Sequence, residues 1–200
     1  MFVVALWCAA GAAGLSLPAR GDRVVAVDYG LRRVGVGVGA GWASRPLSLV
    51  DHFGNDTAVA ERLVAITRAE KSSTIVVGLP LDRSGAECEQ SNITRIFAQL
   101  LCDMATPEIP NCRVWLFDER FSSREAEVIL MTSPELTKYL DSVAACAILD
   151  HFFHDEGKGA EFVAPGPDVA PYVRRAPPPR PPPPPSRPPD KRLLKYLESE

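Results

Sequence analysis

Val24-Val25-Ala26-Val27-Asp28-Tyr29-Gly30-Leu31-Arg32-Arg33-Val34-Gly35-Val36-Gly37-Val38 reads as two β-branched strands joined by a hairpin with Gly30 at its turn. Gly35, Gly37 and Gly39 strip one face of the second strand of side chains, a pattern that marks close approach by another backbone or a ligand. The first strand delivers Asp28 at its end. A carboxylate closing a buried apolar run is costly unless it meets a cation.

Working outward, Pro46 to Val50 is expected to add a third strand, with proline at its start. Asp56 or Thr57 can cap a helix to about Ala69, with Val59, Leu63 and Ile66 on one side. Thr74–Val77 is a short apolar strand ending in Gly78-Leu79-Pro80. Beyond a loop with Ser84-Gly85, a longer helix sets Ile93, Ile96, Phe97, Leu100, Leu101 and Met104 at helical spacing. Arg113–Phe117 is the next strand. Ser122 and Glu125 form a capping-box pattern for a further helix. Asp141 or Ser142 opens the last core helix, whose stripe includes Ala144, Ala147, Ile148 and Phe152. The order β-β-β-α-β-α-β-α-α predicts an α/β fold. Its mixed five-stranded sheet comprises a three-stranded antiparallel meander and two parallel strands, flanked by helices. Ligands on such sheets sit beyond the carboxyl ends of the strands.

Composition divides the chain into an apolar leader of unclear role (1–22), a periodic domain (23–153) and a proline-rich tail (154–200). The whole carries a net charge of −3. Residues 23–153 hold 13 basic and 17 acidic side chains, which argues against tight non-specific nucleic-acid binding by the core. Residues 174–195 hold 7 basic and 1 acidic, enough to steer RNA electrostatically from an otherwise solvated linker. Ala176–Pro189 is expected to be extended polyproline II outside the fold, a contact segment for protein or RNA. Cys8, Cys88, Cys102, Cys112 and Cys146 show no CxxC spacing and read as reduced, structural thiols. No stretch reads as a membrane span. Phe2–Leu17 resembles a signal-peptide core but lacks a basic n-region and is poor in Arg. Localisation is read as cytoplasmic, or plastid if the leader is part of a transit peptide.

Three acids from distant stretches reach element ends: Asp28, the pair Asp118-Glu119, and Asp141. Brought together they make an oxygen-only cage for a hard divalent cation such as magnesium, chemistry suited to cutting a phosphodiester backbone. Successive strand side chains alternate faces, so one of Asp118 and Glu119 faces the ion, Glu119 being favoured. Arg33 and Arg120 adjoin the acids and can hold phosphates. Gly78, Pro80 and Gly85 allow a close backbone approach to nucleic acid. Taken singly, Asp28 reads as a turn former and Asp118 and Asp141 as helix caps. His151 and His154 read as a helix face, with no third metal ligand evident.

Four blocks in register resemble the YqgF (RuvX-like) family of the ribonuclease H superfamily. Asp28-Tyr29-Gly30-Leu31-Arg32-Arg33-Val34-Gly35 looks like D-x-G-x-x-R-[IV]-G, and Val76-Val77-Gly78-Leu79-Pro80-Leu81 with Gly85 looks like V-G-L-P-L…G. Asp118-Glu119-Arg120-Phe121-Ser122-Ser123 looks like D-E-R-[LF]-[ST]-[ST], and Asp141-Ser142-Val143-Ala144-Ala145 looks like D-[SA]-x-A-A. The resemblance implies a ribonuclease H-like fold and a nuclease using two magnesium or manganese ions. It implies Asp28, Glu119 and Asp141 as catalytic acids, Asp118 as a further metal ligand, and Ser122 among the nucleic-acid contacts. Its substrate would be structured RNA, most simply the small-subunit (pre-16S) rRNA precursor, or branched DNA such as a Holliday junction. A monomer or weak homodimer is expected. The chain departs from the pattern in a shorter segment before Asp141, in Lys138-Tyr139-Leu140 where Lys-Gly is usual, and in Asp82 where Asn is common.

Two other classes compete. An actin-like ATPase or sugar kinase also uses D-x-G in a strand-turn-strand, but needs two such domains and a second phosphate loop. A catalytically weak RNA-binding module would keep the fold and lose the cutting.

Overall fold

The β-branched hairpin sets the centre of a sheet. In the structure, a computed structural model describing residues 16–82, 84–119 and 140–166, β1 (Val24–Tyr29) pairs antiparallel with β2 (Arg33–Gly39). Their register sets Asp28 opposite Gly35. β3 (Ser44–Pro46) and β4 (Val50–Asp51) both pair antiparallel with β2. The single strand expected over Pro46–Val50 is therefore two pieces. Pro46 faces Gly37 whereas Val50 faces Val34, so one extra residue is accommodated between them, as in a β-bulge.

α1 (Asp56–Ala69) leads into β5 (Thr74–Leu79), α2 (Glu89–Ala105) into β6 (Arg113–Asp118), and α3 (Leu140–His154) precedes β7 (Glu161–Val163). The sheet runs β3-β2-β1-β5-β6-β7, with β4 beside β2. β5 lies parallel to β1 and to β6, and β7 antiparallel to β6. The meander and the parallel pair of the expected sheet are thus present. β7 is an addition from residues read as tail, too short to carry a period of its own. Arg95 ties it down by ion pairs to Glu87 at 2.7 Å and Glu161 at 2.8 Å. Gln99 donates to the Ala164 carbonyl at 3.0 Å, and the Gly166 amide to Asp103 at 2.8 Å.

Strand alternation assigns each side chain to one of two cores. Val25, Val27, Tyr29, Ile75, Val77, Val114 and Leu116 join the α1/α2 side, with Leu63, Phe97 and Leu101 from the helices. Val24, Ala26, Val76, Trp115 and Phe117 join Ala145, Ile148, Leu149 and Phe152 of α3 on the other. Helices on both faces explain why β1 and β5 read as continuous apolar runs rather than alternating ones. Asn55, not Asp56 or Thr57, caps α1 by accepting from the Ala58 amide at 3.1 Å. Asp56 is occupied elsewhere, by Tyr29 and His52. Ile96, expected on the buried stripe of α2, is 71% exposed because that stripe centres on Phe97, Ala98 and Leu101. The four described cysteines form no disulfide. Among the described residues no helix is long and apolar enough to cross a membrane.

The bare face of β2 is filled by α3. A Cβ on Gly35 would collide with the backbone carbonyl of Asp141, and one on Gly37 would lie 2.9 Å from the Cys146 sulfur and 3.0 Å from its amide. Backbone meets backbone at Gly35, so neither side can yield by a rotamer change. Gly35→Ala should therefore cost about 1–3 kcal/mol, read as a lower urea midpoint at constant m-value. An unchanged midpoint would contradict the packing described.

Candidate active site

Asp28 lies at the end of β1 on the α3 side, because it shares the parity of Val24 and Ala26. Its row across the sheet is nearly empty of side chains. Gly35 stands opposite it on β2. Extending the β1–β5 register by one residue beyond Val27↔Val77 sets Gly78 on its other flank. Each empty position is taken by a residue carrying a site acid. The backbone of Asp141 covers Gly35, and the Glu119 Oε2 occupies the place a Cβ on Gly78 would need. Ile148 Cδ1 closes Gly78 from above, 2.5 Å from that same Cβ position.

The same parity separates the acidic pair. Glu119 follows Trp115 and Phe117, which face α3, and its amide donates to the Leu79 carbonyl at 3.3 Å, extending the β6 ladder. Asp118 follows Val114 and Leu116, which face α1 and α2. The backbone thus turns Glu119 toward Asp28 and sends Asp118 to the opposite parity.

The electrostatics agree with this convergence. Burial, reinforced by the Asp141 charge, raises the Asp28 carboxyl to about 6. Burial again comes first for Glu119, followed by the charges of Asp28, Asp118 and Cys88, and raises it to about 8. Asp141, in the first turn of α3, has a cation at hand: Arg33 Nε is 3.1 Å from its Oδ2. Arg33 is half exposed and the Asp141 side chain is largely buried. A helix N-terminus also favours its charge.

An open cleft of about 420 Å³ reaches one of the acids, Asp141, and is otherwise lined by Tyr29, Gly30, Leu31, Arg32, Arg33 and Gln90. Gln90 has no counterpart among the residues singled out from sequence. Its place is set by the start of α2, where the Cys88 amide donates to Ser91 Oγ at 2.9 Å and the Ser91 hydroxyl donates to the Pro80 carbonyl. Nothing in the residue type of Gln90 marks it.

The other residues singled out from sequence divide. Gly78 is buried beneath Glu119 and Ile148, so it makes room for an acid rather than for a ligand's backbone. Pro80 is half-buried and engaged through its carbonyl by Ser91. Gly85 is exposed at a left-handed turn position, φ +85°, in a loop organised by Asp82. The Asp82 carboxylate accepts from the Ser84 amide at 2.7 Å, the Ser84 hydroxyl at 2.6 Å and the Ala86 amide at 2.9 Å. Arg120, Ser122 and the helix expected after Ser122 lie outside the described residues. His151 and His154 occupy the last turn of α3.

Asp28, Glu119 and Asp141 offer carboxylate oxygens alone, a donor set suited to a hard cation such as magnesium or manganese. Among the described residues no three Asp, Glu, His or Cys side chains stand close enough to share an ion in this conformation. The fit is thus one of chemistry and common face. Closing on an ion requires the carboxylates to turn inward from where Arg33 and Gly78 receive them.

Comparison with known proteins finds relatives of this chain. The family model RuvX, described as Holliday junction resolvase, matches residues 22–155. A protein of Sulfurihydrogenibium sp. named "Putative pre-16S rRNA nuclease" is 34% identical over 135 residues, 66% of this chain and 89% of its own. One of the same name from Chromobacterium violaceum is 38% identical over 142 residues, covering 66% and 98%. Among solved structures, Thermus thermophilus RuvC in complex with a Holliday junction substrate aligns at a TM-score of 0.47 and 17% identity, over 70% of this chain and 99% of that one. The matched span begins just before β1, ends just after α3, and contains all four motif blocks. The chain belongs to the RuvX family.

Proposed function

We propose that the chain is a metal-dependent nuclease that hydrolyses phosphodiester bonds, with 5′-end processing of the small-subunit rRNA precursor as its task. The observation that carries this reading is the row Gly35–Asp28–Gly78, which gathers Asp28, Asp141 and Glu119 on one face beside an open cleft. The names of the relatives supply the RNA substrate.

In this reading Asp28, Glu119 and Asp141 are the residues that would hold the divalent cations. Divalent cations bound there supply an acidified water and offset charge on the leaving oxygen. The chain's own residues do the rest. Arg33, oriented by Asp141, presents a guanidinium at the cleft wall to a phosphate. Gln90 adds an amide that can donate to a phosphate or sugar oxygen. Ile148 and the start of α3 screen the acids on one side, which strengthens every charge interaction inside.

The description of the family model favours a second substrate, a four-way DNA junction. Paired cuts across a junction need two active sites, so a strictly monomeric species at working concentration would favour the RNA.

Asp28→Asn should fold as the parent does and cut an rRNA precursor more than about 100-fold more slowly, a loss beyond that expected for a supporting group. Magnesium-dependent cutting at the parent rate would refute the assignment. A DNA junction assayed in parallel, each substrate with magnesium or EDTA, decides between the two substrates.

A pH dependence follows from the same acids. Their folded-state values lie above the ordinary carboxylate range, so the folded, metal-free chain binds more protons than the unfolded one. Stability should therefore be greatest near pH 4 and fall as pH rises toward 8, by on the order of a few kcal/mol. Glu119→Gln should flatten that slope and raise stability at pH 8. Magnesium should stabilise the parent most at pH 8, where the protons it displaces are already leaving. Thermal unfolding across pH, with and without the cation, reads all three.

A further inference from the structure

Phe53 is the most exposed large apolar side chain among the described residues, at 89%. It sits in the turn between β4 and α1 with φ +43°, a left-handed conformation that disfavours a bulky residue. The turn is pinned on both sides of it. His52 is buried, and its Nδ1 accepts from the Gly54 amide at 3.1 Å. That leaves Nε2 to face Asp56 Oδ1 at 2.7 Å and the Tyr29 hydroxyl at 2.9 Å. The Tyr29 hydroxyl donates to Asp56 at 2.6 Å, and the Asn55 amide to the His52 carbonyl at 3.0 Å. Phe53 is thus held outward on a rigid support, not left on a loose loop.

Its neighbourhood identifies what it meets. β4 pairs with β2 as Arg33↔Asp51, and the His52 amide donates to the Arg32 carbonyl at 3.1 Å. Phe53 thus follows directly on a residue bonded to the β1–β2 turn, where Leu31, 55% exposed, belongs to the wall of the cleft. Arg32 and Arg33 line the same cleft, and Arg33 is paired with Asp141. An exposed aromatic ring on a turn that is bonded to Arg32, itself part of the cleft wall, suits a strand whose bases are free to stack and whose backbone is anionic. A protein partner of ordinary apolar character would not match the adjoining arginines.

Resting on the nuclease reading, we infer that Phe53 is a stacking platform for an unpaired nucleobase, with Arg32 receiving the adjoining phosphate. The platform selects single-stranded or looped nucleic acid over continuous duplex. It is a specificity-determining contact and takes no part in bond cleavage.

The test is equilibrium binding of the full chain, without magnesium, to a labelled RNA stem-loop with an unpaired stretch and to a blunt RNA duplex of matching length. Phe53→Ala should weaken stem-loop binding about tenfold and leave duplex binding and the salt slope unchanged. Phe53→Trp should restore it. Arg32→Gln should weaken both RNAs and reduce the salt slope by about one. Equal binding of the stem-loop by the parent and Phe53→Ala overturns the inference, as does an equal loss for both RNAs. So does a Phe53→Ala chain that binds RNA normally but changes its sedimentation, which would make the patch a protein contact. If Phe53→Ala binds as the parent does and magnesium-dependent cutting persists, the nuclease reading stands and the platform falls. A parent chain that binds neither RNA removes both.

Discussion

Two glycines flank Asp28 across the sheet, and the site depends on the space they leave. On β2, Gly35 lets the first turn of α3 descend until the Asp141 backbone lies over the strand. On β5, Gly78 lets the Glu119 carboxylate lean inward from the end of β6. Neither acid comes from an element adjacent to β1 in sequence, so their meeting needs a sheet able to accept them beside Asp28. A methyl group at either glycine would occupy the volume an acid-bearing residue now fills. Parity does the rest: Asp28 on β1 and Glu119 just beyond β6 share the parity of the α3 face, while their neighbours Tyr29 and Asp118 share that of the α1/α2 core.

That division gives the two faces of the sheet different work. On the α1/α2 side, Tyr29 stacks on Phe97 with centroids 4.0 Å apart and ends in the shared bonds with His52 and Asp56. Burial and Asp56 both push the phenol up, so it remains a neutral donor. The network fastens the carboxyl end of β1, the β4 turn and the start of α1 together. Asp28 is one residue away on the same strand and turns the other way, so it inherits a fixed backbone without sharing the hydrogen bonds that fix it. The rigid layer and the reactive layer are the two sides of one strand.

Much of this was legible in the sequence, because period-2 alternation and glycine spacing are local signals. The hairpin, the strands β1, β2, β5 and β6 and the bare face of β2 follow from these signals, as does the opposite parity of Asp118 and Glu119. What escaped depends on contacts between distant segments. Gly78 reads as a turn residue open to a ligand, and only the β1–β5–β6 register reveals that an acid fills its place. Asp56 reads as a good cap for α1, but Tyr29 and His52 engage it from distant segments and Asn55 caps instead. β7 has three residues and no period, and its anchors, Arg95, Gln99 and Asp103, belong to α2. Gln90 reaches the cleft wall because of where α2 begins, which no residue type announces.

The acids also explain how a chain can keep such a site before any cation arrives. Three carboxylates fully ionised on one half-buried face would repel each other and cost desolvation besides. The structure meets this in two ways. Asp141 is compensated by Arg33, a cation from the same hairpin that carries Asp28. Glu119 is pushed toward its protonated form, by burial first and then by the charges of Asp28, Asp118 and Cys88. On the proposed metal-dependent reading, a cation would displace these protons, which would link its binding to pH. Arg33 stands at the hinge of that exchange. Were an ion to neutralise Asp141, the guanidinium would no longer have to, and its charge on the cleft wall would be available to a phosphate.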